Sequence, residues 1–245
     1  MGDDARGREA RSRAAAYGLD PGFIQTAADT PTGVVTVQLN AAGQPDFTIH
    51  RPAAYDRLLL NPTLLTCLTE WNPDWIYFGT LHQFDPAVRS LTRRLIDALP
   101  AARKFYDVNL RRHSYTPELV LELLSTADAV KLNDEEVSTV EAMTGLRSRS
   151  FAEFTDAWSQ RMGWMAAAVT RGKDGCVVRI GQDYAEVPGR VVKVVDTVGA
   201  GDAFAAAFLH GVVQRWDSRR VADFANGVGA MVASLPGALP DWAVG

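Results

Sequence analysis

The sequence predicts an α/β fold, a mostly parallel sheet covered by helices with one small β-hairpin projecting from it. Three observations lead there. Apolar, strand-like runs alternate with helix-like segments along most of the 245 residues, the pattern of parallel strands joined by crossover helices. Glycines and polar residues recur just after those runs, at Gly79 and Thr80, at Asp107, Asn109 and Arg111, at Asn133 and Glu136, at Thr170, Gly172 and Gly175, and from Asp196 to Asp202. Open α/β sheets bind their ligands beyond the carboxyl ends of the strands, so this recurrence marks one crevice. Finally, two β-rich runs, "GVVTVQL" and "PDFTIHR", flank the turn sequence "NAAGQ" and read as an antiparallel hairpin.

Taken in order, Arg8 to Gly18 reads as a helix closing on its glycine. After the hairpin, "DWIYFGTL" is a buried strand ending near Gly79, followed by a helix from about Pro86 to Leu99. Arg89, Arg93 and Arg94 on that helix read as a solvated face. "RKFYDVNLR" supplies the next strand and its C-terminal loop. "TPELVLELLSTA" is a helix with Thr116 as N-cap and Pro117 at its first position. "DAVKLNDEEV" repeats the scheme as strand, polar loop and helix start, and "WMAAAVTRGKDGCVVRI" gives strand, glycine loop and strand. "RVVKVVD" reads as a last strand and "AFAAAFLHGVV" as a helix, which makes "TVGAG" the turn between them. With no repeat, low-complexity tract or linker, residues 1–245 are expected to form one domain with the hairpin, residues 31–52, inside it.

Composition excludes several classes. Apolar residues make up 47% of the chain and charged residues 22%, as in soluble globular domains. A formal charge of −4 provides no basic face for nucleic acid. Cys67 and Cys176 stand far apart with no CxxC spacing, so neither a disulfide framework nor a zinc site is expected, and a cytoplasmic location fits. No apolar run approaches the eighteen or so residues of a membrane span, and "MGDDARGREARSR" lacks a signal-peptide core. His50, His82, His113 and His210 show no metal-ligand spacing.

The turn before the last alanine-rich helix carries the chemistry. Small residues at 199–201 let backbone N–H groups converge, and the helix N-terminus adds positive partial charge, so the turn can hold an anion. Asp202 stands in the first helical turn, where its charged form is favoured. An ionised acid beside a bound phosphoryl group can take the proton of an attacking hydroxyl. The plainer alternative, glycines for a tight turn and an aspartate near a helix start, stays open. Neither Walker A nor GxGxxG is present.

"DTVGAGDAF" resembles the C-terminal signature of the ribokinase/PfkB family of ATP-dependent carbohydrate kinases. The resemblance covers nearly the whole chain: "MGDDARG" is similar to the family's GxDxxG, and "DTPTGVVTVQLNAAGQPDF" to its substrate-lid hairpin. "YFGTL", "DVNLR", "VKLNDEEV", "VTRGKDG", "FANGVGA" and "SLPGALP" follow in family order. "AAYDRL", "YFGTLHQ" and "DVNLR" look most like the fructokinase-like branch. The resemblance implies a ribokinase-like three-layer α/β/α sandwich, ATP and Mg²⁺ as cofactors, a sugar as partner, and pairing of two copies through the lid.

Residue by residue, it implies that Asp202 is the catalytic base and that the backbone of Gly199, Ala200 and Gly201 stabilises the transferred γ-phosphoryl, with Thr197 beside the nucleotide. Asp196 matches an acid that in many members helps hold a monovalent cation such as K⁺; capping the turn is the alternative. Asn133 and Glu136 fit the NxxE motif that organises Mg²⁺ and its waters, and they also fit a helix capping box. Thr170, Gly172 and Gly175 match the loop along the nucleotide. Asn226 matches a position near the adenine, although it could equally be a helix-interior residue facing a loop, with Gly227 and Gly229 weakening the helix. For the acceptor, Gly79, Asp107, Asn109 and Arg111 are implicated. The last three alternate, so an extended segment would aim them one way, or Asp107 and Arg111 could form a structural pair.

Members of the family carry, ahead of GxDxxG, a strand and a "GG…N…A" segment that contact the sugar. This chain begins at "MGDDARG", so the resemblance implies a further βαβ unit of about 30 residues or more. Two readings follow: an active sugar kinase, with fructose ahead of ribose, 2-keto-3-deoxygluconate or nucleosides, or an impaired member of the fold that binds nucleotide or a partner.

Overall fold

In the computed structural model, residues 1–39 and 45–240 are described; the hairpin turn, residues 40–44, lies outside them. The chain divides into two compact units, Met1–Pro73 with His82–Pro100, and Asp74–Leu81 with Ala101–Gly245.

The first unit opens with α1 (Ala5–Ala16). Its N-cap, Asp4, accepts from the Gly7 and Thr32 backbone N–H groups at 2.8 and 2.7 Å and from the Thr32 hydroxyl at 2.9 Å. These bonds favour the carboxylate and hold its pKa down at about 2. The flanking glycines have a packing reason: a Cβ on Gly7 would stand 2.1 Å from the Gly2 carbonyl. Strands β1 (Val35–Leu39) and β2 (Pro45–Ile49) pair antiparallel, Val35 opposite Ile49, as a separate two-stranded sheet. Helix α2 (Pro62–Trp71) was not legible in the sequence. The single turn α3 (Thr80–Gln83) crosses from the second unit into the first, where α4 (Pro86–Ala98) starts on its Asp85 cap.

The second unit is built on a six-stranded sheet in the order β3 (Trp75–Gly79), β4 (Arg103–Asp107), β5 (Ala129–Asn133), β6 (Ala166–Thr170), β7 (Cys176–Ile180) and β8 (Asp183–Val187). The first four strands run parallel and the last two antiparallel. The mostly parallel sheet and the small hairpin are those expected. Alternate residues on one face, among them Phe105, Ala129, Ala168, Val178 and Val187, bury against α8 (Ala200–Val213) and α9 (Ser218–Ala233) through Phe204, Phe208 and Ala225. Side chains alternate in direction along a strand, so the intervening residues face the other way. There lie α5 (Pro117–Thr126), α6 (Asp134–Thr144) and α7 (Phe151–Met162). Arg179 on β7 donates to Thr155 and pairs with Asp156 at 3.2 Å, tying α7 to that face. The helix caps at Thr116 and Pro117 are as expected.

Two expectations need correction. No polar loop separates β5 from α6, because Asn133 ends the strand and caps the helix at once. And "RVVKVVD" forms no strand. β-branched residues make a strand only where a neighbouring edge offers its ladder. Here the Val195 and Asp196 amides donate instead to the Ala233 carbonyl at the end of α9, at 2.9 and 3.3 Å, and Val191, Val194 and Val195 stay exposed.

Candidate active site

Parallel register brings the polar residues that follow the strands into one row. Gly79 lies opposite Asp107, Asp107 opposite Lys131, and Asn133 opposite Thr170. Beneath the row the face toward α8 is aromatic: the rings of Tyr77 and Phe105 are 5.4 Å apart, and those of Phe105 and Phe208 5.6 Å. The same alternation then places Asp107 and Lys131 two residues further along β4 and β5. Both are buried, at 1% and 6% exposure, and Lys131 Nζ stands 3.1 Å from Asp107 Oδ1. The Tyr77 hydroxyl donates to Asp107 Oδ2 at 3.4 Å. Burial pushes the Asp107 carboxyl up from its usual range, the Lys131 ammonium pulls it down, and the charge of Asp202 adds to the upward push. The Tyr77 hydroxyl is raised by burial first, then by the charges of Asp107 and Asp202.

The charge of Asp202 is felt there because α8 begins above this pair. Gly199, its N-cap, has φ 83°, and a Cβ would meet the Ala238 carbonyl at 2.5 Å, so only glycine fits for two reasons. Asp196 holds the approach: Oδ1 accepts from the Val198 amide at 2.9 Å and Oδ2 from the Gly237 amide at 3.2 Å. No side chain caps α8, while a helix start leaves its first N–H groups without intrahelical acceptors. Gly201 and Asp202 are exposed. A Cβ on Gly201 would lie 3.5 Å from Lys131 Nζ, so the ammonium sits directly against the first turn. The Ala200 amide turns back to the Thr197 carbonyl at 3.3 Å, so the first-turn amides of Gly201 and Asp202, the helix N-terminus and the buried ammonium together can stabilise an anion, and Asp202 supplies an exposed carboxylate at its side.

At the end of the strand that carries Lys131, the N-terminus of α6 is closed. Asn133 Oδ1 accepts from the Glu136 amide and Glu136 Oε2 from the Asn133 amide, each at 2.8 Å, the capping box read from the sequence. Glu136 Oε1 accepts from the Leu110 amide at 2.7 Å. Desolvation raises the Glu136 carboxyl while these amides and Lys131 lower it. Among the described residues no three His, Cys, Asp or Glu side chains group to hold a metal. Each Glu136 oxygen keeps a lone pair beyond these bonds, a donor set that fits the waters of a hydrated Mg²⁺. Both oxygens of Asp196 serve the loop-capping role.

The nucleotide-loop candidates differ among themselves. Gly172, at φ 53°, is exposed and has open space where a side chain would be, whereas Gly175, at φ 94°, is packed with a Cβ site 2.1 Å from the Val187 carbonyl. The Thr170 hydroxyl donates to the Leu132 carbonyl at 3.4 Å. Asn226 lies inside α9 and donates to the Pro188 carbonyl at 2.8 Å. Gly227 and Gly229 do not break α9. A Cβ on Gly227 would touch the Arg190 guanidinium at 2.9 Å and one on Gly229 the Ala200 carbonyl at 3.2 Å, so these glycines let α9 lie close to its neighbours.

The acceptor triplet is corrected. Asp107, Asn109 and Arg111 do not project together, because β4 ends at Asp107 and Asn109 turns into the left-handed region at φ 37°. The ionic partner of Asp107 is Lys131, not Arg111, which is exposed. Gly79 is fixed in place by Thr80, whose buried hydroxyl lies 2.6 Å from the Tyr106 hydroxyl and also bonds the Val108 carbonyl. Lys131 and Tyr77 were missed. The available signal was a lysine inside the apolar run "AVKLN", since a charge in a buried strand must be paired.

Among the described residues no helix is long and apolar enough to cross a membrane. A family model described as pfkB family carbohydrate kinase matches residues 1–243. Fructokinase-1 of Oryza sativa subsp. japonica is 29% identical, the match covering 98% of this chain and 77% of that protein. Aminoimidazole riboside kinase of Salmonella typhimurium is 27% identical, over 98% of this chain and 76% of its own length. Among solved structures, an uncharacterized sugar kinase from Pyrococcus horikoshii in complex with ATP is 25% identical with a TM-score of 0.77, covering 97% of this chain and 76% of that one.

Proposed function

The chain belongs to the pfkB family of carbohydrate kinases, and from that premise we propose that it transfers the γ-phosphoryl group of ATP to a primary hydroxyl of a sugar, with fructose the first acceptor to test. The observation that carries the reading is the open start of α8: an uncapped helix N-terminus behind Gly199, with the exposed Asp202 carboxylate in its first turn. Asp202 takes the acceptor's proton as its oxygen attacks the γ-phosphorus, and the amides around Gly201 hold the phosphoryl oxygens in transfer. Mg²⁺, brought by the nucleotide, would neutralise phosphate charge, with Asn133 and Glu136 holding its waters. Thr170 and the open surface at Gly172 would line the nucleotide. Asn226 acts on the adenine side by keeping the Pro188 loop in place.

ATP use is supported by the ATP complex of the Pyrococcus sugar kinase. The acceptor is a narrower question. Identity to a fructokinase and to a riboside kinase differs by two points, 29% against 27%, so ribosides belong in the same panel as fructose, ribose and 2-keto-3-deoxygluconate. The test is ADP release coupled to a spectrophotometric readout across that panel, with Asp202→Asn run in parallel. Acceptor-dependent ADP release that the substitution abolishes is expected. Release from no acceptor at all, with nucleotide still bound, would favour a nucleotide-binding protein instead.

A further inference from the structure

We propose that Lys131 is a catalytic residue of this transfer, its ammonium ion donating a hydrogen bond to the phosphoryl group at the first turn of α8. The proposal rests on the kinase reading above. Burying an ammonium is costly, and a pair made only for stability is often matched by apolar side chains of similar volume. This one occupies a particular place. Its partner Asp107 ends β4, its own strand ends two residues later at the Asn133 cap, and its Nζ lies against Gly201. Glycine at 201 puts no side chain between the ammonium and the first turn.

The charges give the pair a further purpose. Asp107 and Asp202 are near enough for the second to raise the first, and two carboxylates alone would repel an incoming phosphate. Asp107 is spent on Lys131, at 3.1 Å to Oδ1 and 3.4 Å to Oδ2, which fixes the ammonium in position. An ammonium has three N–H donors, and two contacts to one carboxylate leave at least one for another oxygen. In the reaction the acceptor oxygen bonds to the γ-phosphorus. The bond from that phosphorus to the β,γ-bridging oxygen breaks, and ADP leaves with the electron pair. The hydroxyl proton passes to Asp202. Lys131 keeps its protons and balances the charge on the transferring oxygens.

The experiment compares the unmodified protein with Lys131→Met, Lys131→Arg and the double variant Asp107→Asn/Lys131→Met, which leaves no buried charge unpaired if the single change fails to fold. Binding of AMP-PNP and of ADP is measured by calorimetry, and kcat with the best acceptor. A charged hydrogen bond to the γ-phosphoryl predicts that methionine at 131 weakens AMP-PNP by about tenfold to a hundredfold and leaves ADP unchanged. It also predicts a kcat lower by about a hundredfold or more, part of it recovered by arginine. AMP-PNP affinity and kcat within about threefold of the unmodified protein, in whichever methionine variant folds, would overturn the proposal. Should the unmodified protein bind AMP-PNP but turn over no acceptor, the kinase reading falls and the AMP-PNP to ADP comparison still decides on Lys131. An unmodified protein that binds no AMP-PNP overturns both.

Discussion

The starts of α6 and α8 are two solutions to the same local problem, one sealed and one left open. Each carries acid in its first turn, three residues at α6 and Asp202 at α8. At α6 the exposed ends are satisfied from within: Asn133 and Glu136 exchange hydrogen bonds, and the spare Glu136 oxygen takes the Leu110 amide. At α8 a left-handed glycine stands where a capping side chain would be, and the N-cap makes no side-chain hydrogen bond. Local rules of helix capping are thus kept at α6 and set aside at α8.

Substitutions can break or sharpen that contrast. The largest effect is expected at the open turn. Asp202→Asn should lower kcat by about 10²–10⁴-fold, the usual worth of a general base, with thermal stability and ATP binding retained. Unchanged turnover would remove Asp202 from the reaction and reduce α8 to an uncapped helix. Next comes Glu136→Ala at the sealed turn. It strands the part-buried Asn133 and Leu110 amides, at a cost of up to about 1–3 kcal/mol each, so the protein should melt lower even without nucleotide. A melting point unmoved by this change would mean that the two starts do not differ as described.

Asn133→Ala should cost less, about 1 kcal/mol for a lost N-cap. That corresponds to about 2–4 °C in a chain of this size. The smallest effect belongs to a third helix start, at α1. The Asp4 carboxyl is depressed to about 2, so its stabilisation is fully present above the ordinary carboxyl range and drains away as pH falls from about 4 toward 2. In Asp4→Asn, acid unfolding followed by circular dichroism should therefore begin at higher pH than in the unmodified chain. Coincident acid transitions would deny Asp4 its capping role.

Sequence reading succeeded where a signal is local. Thr116-Pro117 and Asn133 with Glu136 specify their geometry within four residues, and the structure has those caps where the sequence puts them, whereas the glycine turn is shorter than expected, with Gly199 as N-cap and Ala200 and Gly201 already in α8. It failed where the outcome depends on a neighbour. The valines of "RVVKVVD" have the composition of a strand, but no strand edge receives them. Asn109 looks extended until its backbone turns left-handed. Lys131 finds its partner only through the pairing of two strands, which no single stretch of sequence encodes.

The clamp on the loop before α8 has a practical corollary. Gly237 and Ala238, more than thirty-five residues downstream in sequence, press on the Asp196 carboxylate and on the Gly199 backbone. Protein engineering at the carboxyl side is thus wired mechanically to the start of α8. Affinity tags, fusions or trimming there should leave residues 237–238 untouched, and a design that disturbs them risks being misread as a poor enzyme when only its buttress has been loosened.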